Sequence, residues 1–577
     1  MLRLERIAVY YGPNPWALAQ VVVCQVSDTA PGTSDVALRA AKAAVWARAA
    51  LNEVRGFLHE GGARDLGDGR AALWVGFHVP EITVEAIRLA VDLLNGAPGL
   101  ETRIQRLRAT CREQHPDYQA RILMTGARAI GIPVLPLARG SRLYQYGWGQ
   151  ASRLFFESAS NGDGFLAGKI AQSKSLTKSV LLELGVPTPR HRLVDDAANL
   201  PDAADEVGRP CVVKPVDRGG GKGVTAGLTT DDEIAAAFAI ARQFSSASIM
   251  VESFVPGDDH RLMVVDGRLV AAIRRDPPSV SGDGTSTVRE LVAALNSNRT
   301  LDMVTSNYLR PLAIDEVMTA QLAHQRMTLE SVPPAGQRVT LRSNANLSTG
   351  GICTDVTADV HPEVRGMAEM IANTLGFATL GLDYITTDIR QPLARGGAFI
   401  EVNTTPGLDA AIAAGQRPED VAALLLGTAA RRIPAVMLLV GDDALADCGS
   451  QLEAEAVRTT GLGWLCDGRA GLSDLPLTVE HLRPTERVAC LLRNRLARAV
   501  VVIWGLNQLR RNGVPFDRLD TLLVGPAAIP PAWQRVLGRV STRVLRHENL
   551  ATLVVQAVKI AQVGVKSDDA RASFANV

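Results

Sequence analysis

Lysine is scarce in this chain. Only eight of its 61 basic residues are lysine, and five of those fall between positions 169 and 222: Lys169, Lys174, Lys178, Lys214 and Lys222. Arginine carries positive charge everywhere else. Lysine is a compact point charge suited to a phosphate oxygen, so its concentration in one segment marks that segment for attention. Net charge is also nearly absent, at +1 from 61 Lys+Arg against 60 Asp+Glu. No global grip on nucleic acid or an acidic membrane is expected. The seven cysteines lie far apart, with no Cys-x-x-Cys. That excludes a disulfide framework and a structural zinc site, and it predicts a cytoplasmic, reducing location. Long apolar runs are missing too. Stretches such as 499–506 fall short of the ~18 residues that span a bilayer, and residues 1–6 hold no secretory apolar core. No Gly-x-Ser-x-Gly or His-Glu-x-x-His occurs and the nine histidines are scattered, which argues against nucleophilic or zinc-dependent hydrolysis.

What remains is an ordinary globular composition, 47% hydrophobic and 21% charged over 577 residues. At ~150 residues per domain, two to four domains are expected, and the patterning predicts an α/β multidomain chain. Residues 1–165 read as an α/β domain, with strands at 3–11 and 21–26 and helical periodicity at 36–59 and 82–94. Gly12-Pro13-Asn14-Pro15-Trp16 reads as a turn. Residues 166–427 form the next unit. A helix at 174–184 stops at Gly185-Val186-Pro187, and a short buried strand at 210–214 enters a glycine-dense loop. A strand at 248–254 follows, then two apolar runs around Asp266-Gly267, a hairpin signal. Further strands are expected at 378–385 and 397–402. In the third unit, 428–577, the runs 435–440, 499–504 and 521–524 read as buried parallel strands.

Four features carry chemistry. In the loop Asp217-Arg218-Gly219-Gly220-Gly221-Lys222-Gly223, glycines let backbone N–H groups approach phosphate, and Lys214 and Lys222 flank them. The same composition also suits a structural hairpin loop. Glu401 and Asn403 are two apart on one strand and share a face, and Asp383 sits on another apolar strand. Few, hard oxygen ligands of this kind suit Mg²⁺ held together with substrate phosphates; the alternative is strand-end carboxylates facing solvent. The strand ending at Glu252, followed by Phe254, Val255 and Asp259, could read an adenine by its edge and hold a ribose by a carboxylate. The loop from Arg342 through Asn346, Ser348, Thr349, Gly350 and Gly351 could bind a carboxylate or phosphate, or be merely solvated.

The ordered set is more specific than its parts. Lys174-x-x-Thr177-Lys178, Lys214 with its glycine loop, Glu252 with Asp259, Asp383 and Glu401-x-Asn403 together resemble the ATP-grasp superfamily of carboxylate–amine ligases. Gly12-Pro13-Asn14, Gly282-Asp283-Gly284-Thr285-Ser286-Thr287, Asn346-Leu347-Ser348-Thr349-Gly350-Gly351 and Pro406-Gly407 bring the resemblance closer to the cyanophycin synthetases. That resemblance implies an N-terminal domain, an ATP-grasp domain and a Mur-ligase-like, Rossmann-type domain with a second phosphate loop. Here the strand after Arg432-Ile433-Pro434 runs instead into Gly441-Asp442-Asp443, and no lysine occurs from 223 to 558. Two aspartates repel phosphate, so the third domain is expected to be degenerate. The shorter, second type of cyanophycin synthetase is similar in this respect. Its single working site joins preformed β-aspartyl-arginine dipeptides.

The resemblance implies ATP and Mg²⁺ as cofactors. Lys174, Lys214, Asp217, Gly221, Lys222, Gly223, Glu252, Phe254, Val255 and Asp259 would bind the nucleotide, and Asp383, Glu401 and Asn403 the metal. Asn346, Ser348, Thr349, Gly350, Gly351 and Gly407 would bind substrate. Arg275 and Arg342 would stabilise an acylphosphate and the oxyanion after it, with Arg261 on phosphate. The partners would be a peptide or dipeptide, the growing polymer and a second copy of the chain in a dimer. A non-catalytic regulatory partner of a full-length synthetase, or a ligase for another amino-acid polymer, are the rival readings. Lys169 and Asp409 prompt the last, because they depart from the family pattern in charge.

Overall fold

The protein is described here by a computed structural model covering residues 1–28, 35–138, 140–297, 299, 311–347, 350–427 and 430–575. The chain forms two compact units, Met1–Phe156 with Leu426–Val577, and Glu157–Leu425.

In the first unit, Leu2–Tyr10, Val21–Asp28, Arg70–Gly76 and Gly61–Gly67 form an antiparallel sheet in that order. Alternation decides its faces: Val22, Cys24 and Val26 pack on Ala40, Ala44, Ala47 and Leu51, while Val21 and Val23 turn to the other side. The helix Val36–Glu53 stops six residues before the expected end at 59. The N–H of Gly56 closes back on the Leu51 carbonyl at 2.7 Å, and Arg55 and Phe57 take positive φ. The turn at 12–16 is built around Asn14. Its amide donates to the carbonyls of Gly12 and Ala19 and accepts from the N–H groups of Trp16 and Ala17. Backbone bonds from Tyr11 N–H to Asn512 and from Val514 N–H to Pro13 join this turn to the C-terminal part of the same unit.

That C-terminal part is a seven-stranded sheet. Leu462–Cys466, Ala499–Gly505, Ala435–Val440, Leu519–Val524 and Ser541–Arg546 pair in parallel in this order. Arg469–Leu472 and Leu475–Leu477 extend it antiparallel. Both faces are covered: Ala435, Met437 and Leu439 enter one core, Val436, Leu438 and Val440 the other. Burial on both faces explains why the central strands read as unbroken apolar runs.

The second unit is built mainly on two larger antiparallel sheets. In the first the order is Thr225–Leu228, Cys211–Pro215, Ile249–Ser253, His191–Val194, backed by the helices Leu200–Val207 and Asp231–Phe244. In the second it is Ile352–Asp355, Arg268–Asp276, Asp258–Val265, Thr379–Thr386, Ala398–Asn403, packed on the helix Pro362–Leu375. Asp266 and Gly267, both at positive φ, make the two-residue hairpin turn that their sequence predicts. Ser279–Ser281 and Arg338–Thr340 form a small satellite sheet with the helices Val288–Ser297 and Glu316–His324. The Gly282–Thr287 motif serves this satellite. Asp283 accepts from the N–H groups of Thr285 and Ser286 and from the Ser286 hydroxyl, closing the turn ahead of Val288–Ser297.

Candidate active site

Ser173 caps the helix Lys174–Glu183 by accepting from Leu176 N–H, which sets Lys174 and Lys178 one turn apart on one face. Lys178 is fully buried, and its ammonium lies 2.8 Å from Glu252 Oε2. Lys214 lies 2.5 Å from Glu252 Oε1. The register explains the second contact. Val212 faces Glu252 across the ladder, so Lys214, two residues on, is its diagonal neighbour on the same face. Burial pushes the Glu252 carboxyl up, but Lys214 and Lys178 outweigh it and hold the carboxyl at about 2. Burial pulls Lys178 down to about 8 against the opposing attraction of Glu252. With all three groups charged, the triad carries one buried positive charge in excess. Such a charge favours an anionic ligand.

The five-stranded sheet builds a second cluster. Across its ladder Asp383 faces Arg261 on one side and Glu401 on the other, and Asp259 faces Arg275. Arg261 Nε and an Arg275 guanidinium nitrogen lie 2.8 and 3.0 Å from Asp383 Oδ1. The same Arg275 nitrogen donates to both oxygens of Asp259 at 2.7 and 2.8 Å. Burial pushes Asp383 up, and the two arginines override it to lower its pKa. Asp259 ends raised, because burial and the neighbouring Asp383 outweigh Arg275.

Lys174 connects the helix, the loop and the sheet. Its ammonium lies 3.1 Å from Glu401 Oε1 and donates to the Arg218 carbonyl at 2.8 Å. The exposed loop 217–223 turns through Gly220, Gly221 and Gly223, all near φ +70°. A side chain there would be strained. A Cβ on Gly221 would stand 3.2 Å from the Asn346 amide, so the glycine loop lies against the loop expected to bind substrate. In that second loop Gly350 and Gly351 answer to packing. A Cβ on them would meet Leu312 Cδ2 at 2.0 Å and the Ala345 carbonyl at 2.2 Å. Ser348 and Thr349 lie outside the described residues. Pro406, beside Gly407, accepts from the buried Ser158 hydroxyl at 2.7 Å.

Some residues fall apart from their expected company. Glu252 and Asp259 are seven positions apart but stand on different sheets, and Asp259 joins the arginines and Asp383. Glu252 is engaged by two lysines. Arg342 binds Asp315 at 2.7 Å and the Ala313 carbonyl, within the satellite and with no contact to the Asp383 cluster among the described residues. The Phe254 N–H donates to the Pro210 carbonyl, and Val255 follows in the turn beyond the strand Ile249–Ser253. Lys178 was not among the residues expected to bind nucleotide. Its signal was present, a second lysine one turn from Lys174 in a lysine-poor chain.

Among the described residues no three His, Cys, Asp or Glu side chains gather into a metal cluster. The donor set is therefore Asp383, Glu401 and an amide. Asn403 Nδ2 is buried with no hydrogen-bond partner among the described residues, and an amide flip would present Oδ1 there as a hard ligand. Two carboxylates and one amide oxygen fit Mg²⁺ with ligands completed by water and phosphate.

Residues 179–265 match the family model of the ATP-grasp domain. The match covers Lys214, the glycine loop, Glu252 and Asp259. A cyanophycin synthetase from Synechocystis sp. is 32% identical over 455 residues, 76% of this chain and 52% of that protein. One from Nostoc sp. is 36% identical over 330 residues, 57% of this chain and 36% of that protein. The chain is an ATP-grasp relative of the cyanophycin synthetases. It spans about half the length of the first of these relatives, and less of the second. A glutathione biosynthesis bifunctional protein from Mannheimia succiniciproducens is 32% identical over 248 residues, 41% of this chain and 32% of that one.

The loop after the central strand of the seven-stranded sheet differs in kind from the glycine loop at 217–223. Asp442 accepts the Asn507 N–H with both carboxylate oxygens at 3.1 and 3.2 Å. A carboxylate of the chain itself thus takes a helix-end amide of the kind that binds phosphate elsewhere.

Proposed function

We propose that this ATP-grasp relative of the cyanophycin synthetases is an ATP-dependent ligase that forms peptide bonds, and that it joins preformed β-aspartyl-arginine dipeptides into a polymer. The observation that carries the reading is the convergence of Lys174, Glu401 and the glycine loop through one ammonium, beside a buried Lys178–Glu252–Lys214 triad with excess positive charge. Such an arrangement suits a polyphosphate.

In this reading Lys214 and Lys174 bind phosphate oxygens, and 217–223 closes over them. Lys178 keeps Glu252 ionised, and Glu252 in turn fixes the Lys214 ammonium. Val255, in the turn after the strand Ile249–Ser253, offers its backbone to the adenine. Asp383, Glu401 and Asn403 would hold Mg²⁺, which when bound offsets charge on the transferring phosphoryl group. A chain-end carboxylate takes the γ-phosphoryl group of ATP, the bond to the β-phosphate breaks and ADP leaves, giving an acylphosphate. An incoming α-amine attacks the acyl carbon, phosphate leaves, and the amine proton passes to solvent or phosphate. Arg275 and Arg261 are positioned to stabilise the oxyanion from the sheet face. Asn346, Gly350, Gly351 and Gly407 are the proposed substrate contacts. Residues 1–165, 166–427 and 428–577 are proposed as functional segments, the last without a working phosphate loop.

Phosphate release from ATP tests the reading, comparing β-aspartyl-arginine with free aspartate plus arginine. Dipeptide-dependent turnover with a polymeric product supports it. Turnover with free amino acids alone would require a working second site. Silence with both substrates would favour another peptide, as the charges of Lys169 and Asp409 allow, or a regulatory role.

A further inference from the structure

We infer that Lys174 holds the place of the metal on Glu401 until a nucleotide arrives, so that divalent cation and nucleotide bind as a coupled pair. This rests on the reading of the sheet face as a magnesium–ATP site. Each carboxylate that a divalent ion would use already has an internal cation. Glu401 has Lys174 at 3.1 Å, and Asp383 has Arg261 and Arg275 at 2.8 and 3.0 Å.

The two sets of cations differ in freedom. Arg275 is tied a second time, to both oxygens of Asp259, and the arginines stand on strands adjacent in the ladder. Lys174 stands at the first position of a helix whose backbone Ser173 fixes, and its side chain is 16% exposed. A four-carbon stem lets its ammonium move while its backbone stays. Lys174 is the cation that can yield.

A divalent ion arriving alone must take Glu401 from the ammonium and shed part of its own hydration. The ammonium is then left half-buried with the Arg218 carbonyl and the attraction of the exposed Asp217. A nucleotide removes both difficulties. Its phosphates give the ammonium a new anion and give the ion additional oxygen ligands. Each ligand therefore raises the affinity for the other, and by the same factor. The same swing releases the Arg218 carbonyl, immediately before the three glycines at 219–221. The movement that opens Glu401 also frees the loop to settle on the phosphates.

The test is binding of Mn²⁺, followed by electron paramagnetic resonance, to the full chain with and without a non-hydrolysable ATP analogue. The native chain should bind Mn²⁺ weakly alone and about tenfold or more tightly with the analogue. Lys174→Met and Lys174→Gln should bind Mn²⁺ alone on the order of tenfold more tightly than the native chain, with the gain from the analogue reduced to the part that phosphate oxygens supply by ligating the ion. Lys174→Arg keeps a cation and should stay near the native behaviour. Equal Mn²⁺ affinity of native and charge-removed chains without analogue, or an undiminished gain in both Met and Gln variants, overturns the inference alone. A native chain that binds no Mn²⁺ even with the analogue overturns the magnesium–ATP reading along with it.

Discussion

Asp383 is the residue with the most to lose. It balances Arg261 and Arg275 and faces Glu401, so it serves the fold and the proposed metal together. Asp383→Asn should abolish ATP-dependent phosphate release. It should also lower stability by about 3 kcal/mol, because two largely buried guanidinium groups lose their shared anion; urea denaturation measures this. Glu252 makes a pH prediction. Its folded pKa of about 2 lies below the ordinary 4.5, so its stabilisation is complete above pH 4.5 and is lost as pH falls towards 2. The amount is roughly 3 kcal/mol, and Glu252→Gln should flatten the acid limb of stability against pH by that much. Lys178 acts in the opposite sense. Held at about 8 against 10.5, it costs stability below pH 8, and the cost fades as pH rises from 8 to 10.5. Above pH 8 the triad also loses its excess charge, so affinity for an ATP analogue should fall there in the native chain and stay level in Lys178→Met. Isothermal titration across pH 7 to 9.5 separates the two behaviours.

Single elements show how much could be read in advance. The strand of Glu401 and Asn403, the strand of Asp383 and the hairpin at Asp266-Gly267 were all legible, because alternation and a two-residue turn leave strong local marks. The placement of Asp259 was not. The turn at 254–257 carries the chain from one sheet to the other, and nothing in a seven-residue spacing tells which sheet an acid will join. Ser541–Arg546 was missed for a different reason. It is a mostly exposed strand, held by parallel pairing to Leu519–Val524 and by Leu545 packed on the core. Glu101–Gln114 likewise buries only Leu107 and Cys111, too few to reveal a helical stripe. Packing density makes a sharper prediction for the loop at 350–351. Gly351→Ala sets a methyl 2.2 Å from the Ala345 carbonyl, so the loop beside Gly221 must shift. A loss of about 2 kcal/mol or more in stability should accompany a raised KM for the peptide. Asn14→Ala should cost about 2 kcal/mol by urea denaturation, because it strips four hydrogen bonds from a buried turn.

At the scale of the whole molecule, the two glycine-bearing loops that follow strands have opposite chemistry. Gly219–Gly223 contains Lys222 and follows Lys214, whereas Gly441 is followed by two aspartates, one of which already caps Asn507. Equilibrium dialysis should therefore find one nucleotide per chain. Among the described residues no helix is long and apolar enough to cross a membrane.

The uneven use of lysine has a practical consequence. Amine-selective acylation has few targets in this protein, and they span the range from open to sealed. Lys42, Lys169, Lys222 and Lys559 are exposed, Lys174 is partly covered, and Lys178 and Lys214 are buried behind Glu252. A mass-spectrometric footprint of these seven side chains thus becomes a built-in reporter. Slow labelling at Lys178 and Lys214 would track the closed triad, and the rate at Lys174 would follow the opening and filling of the site without any introduced probe.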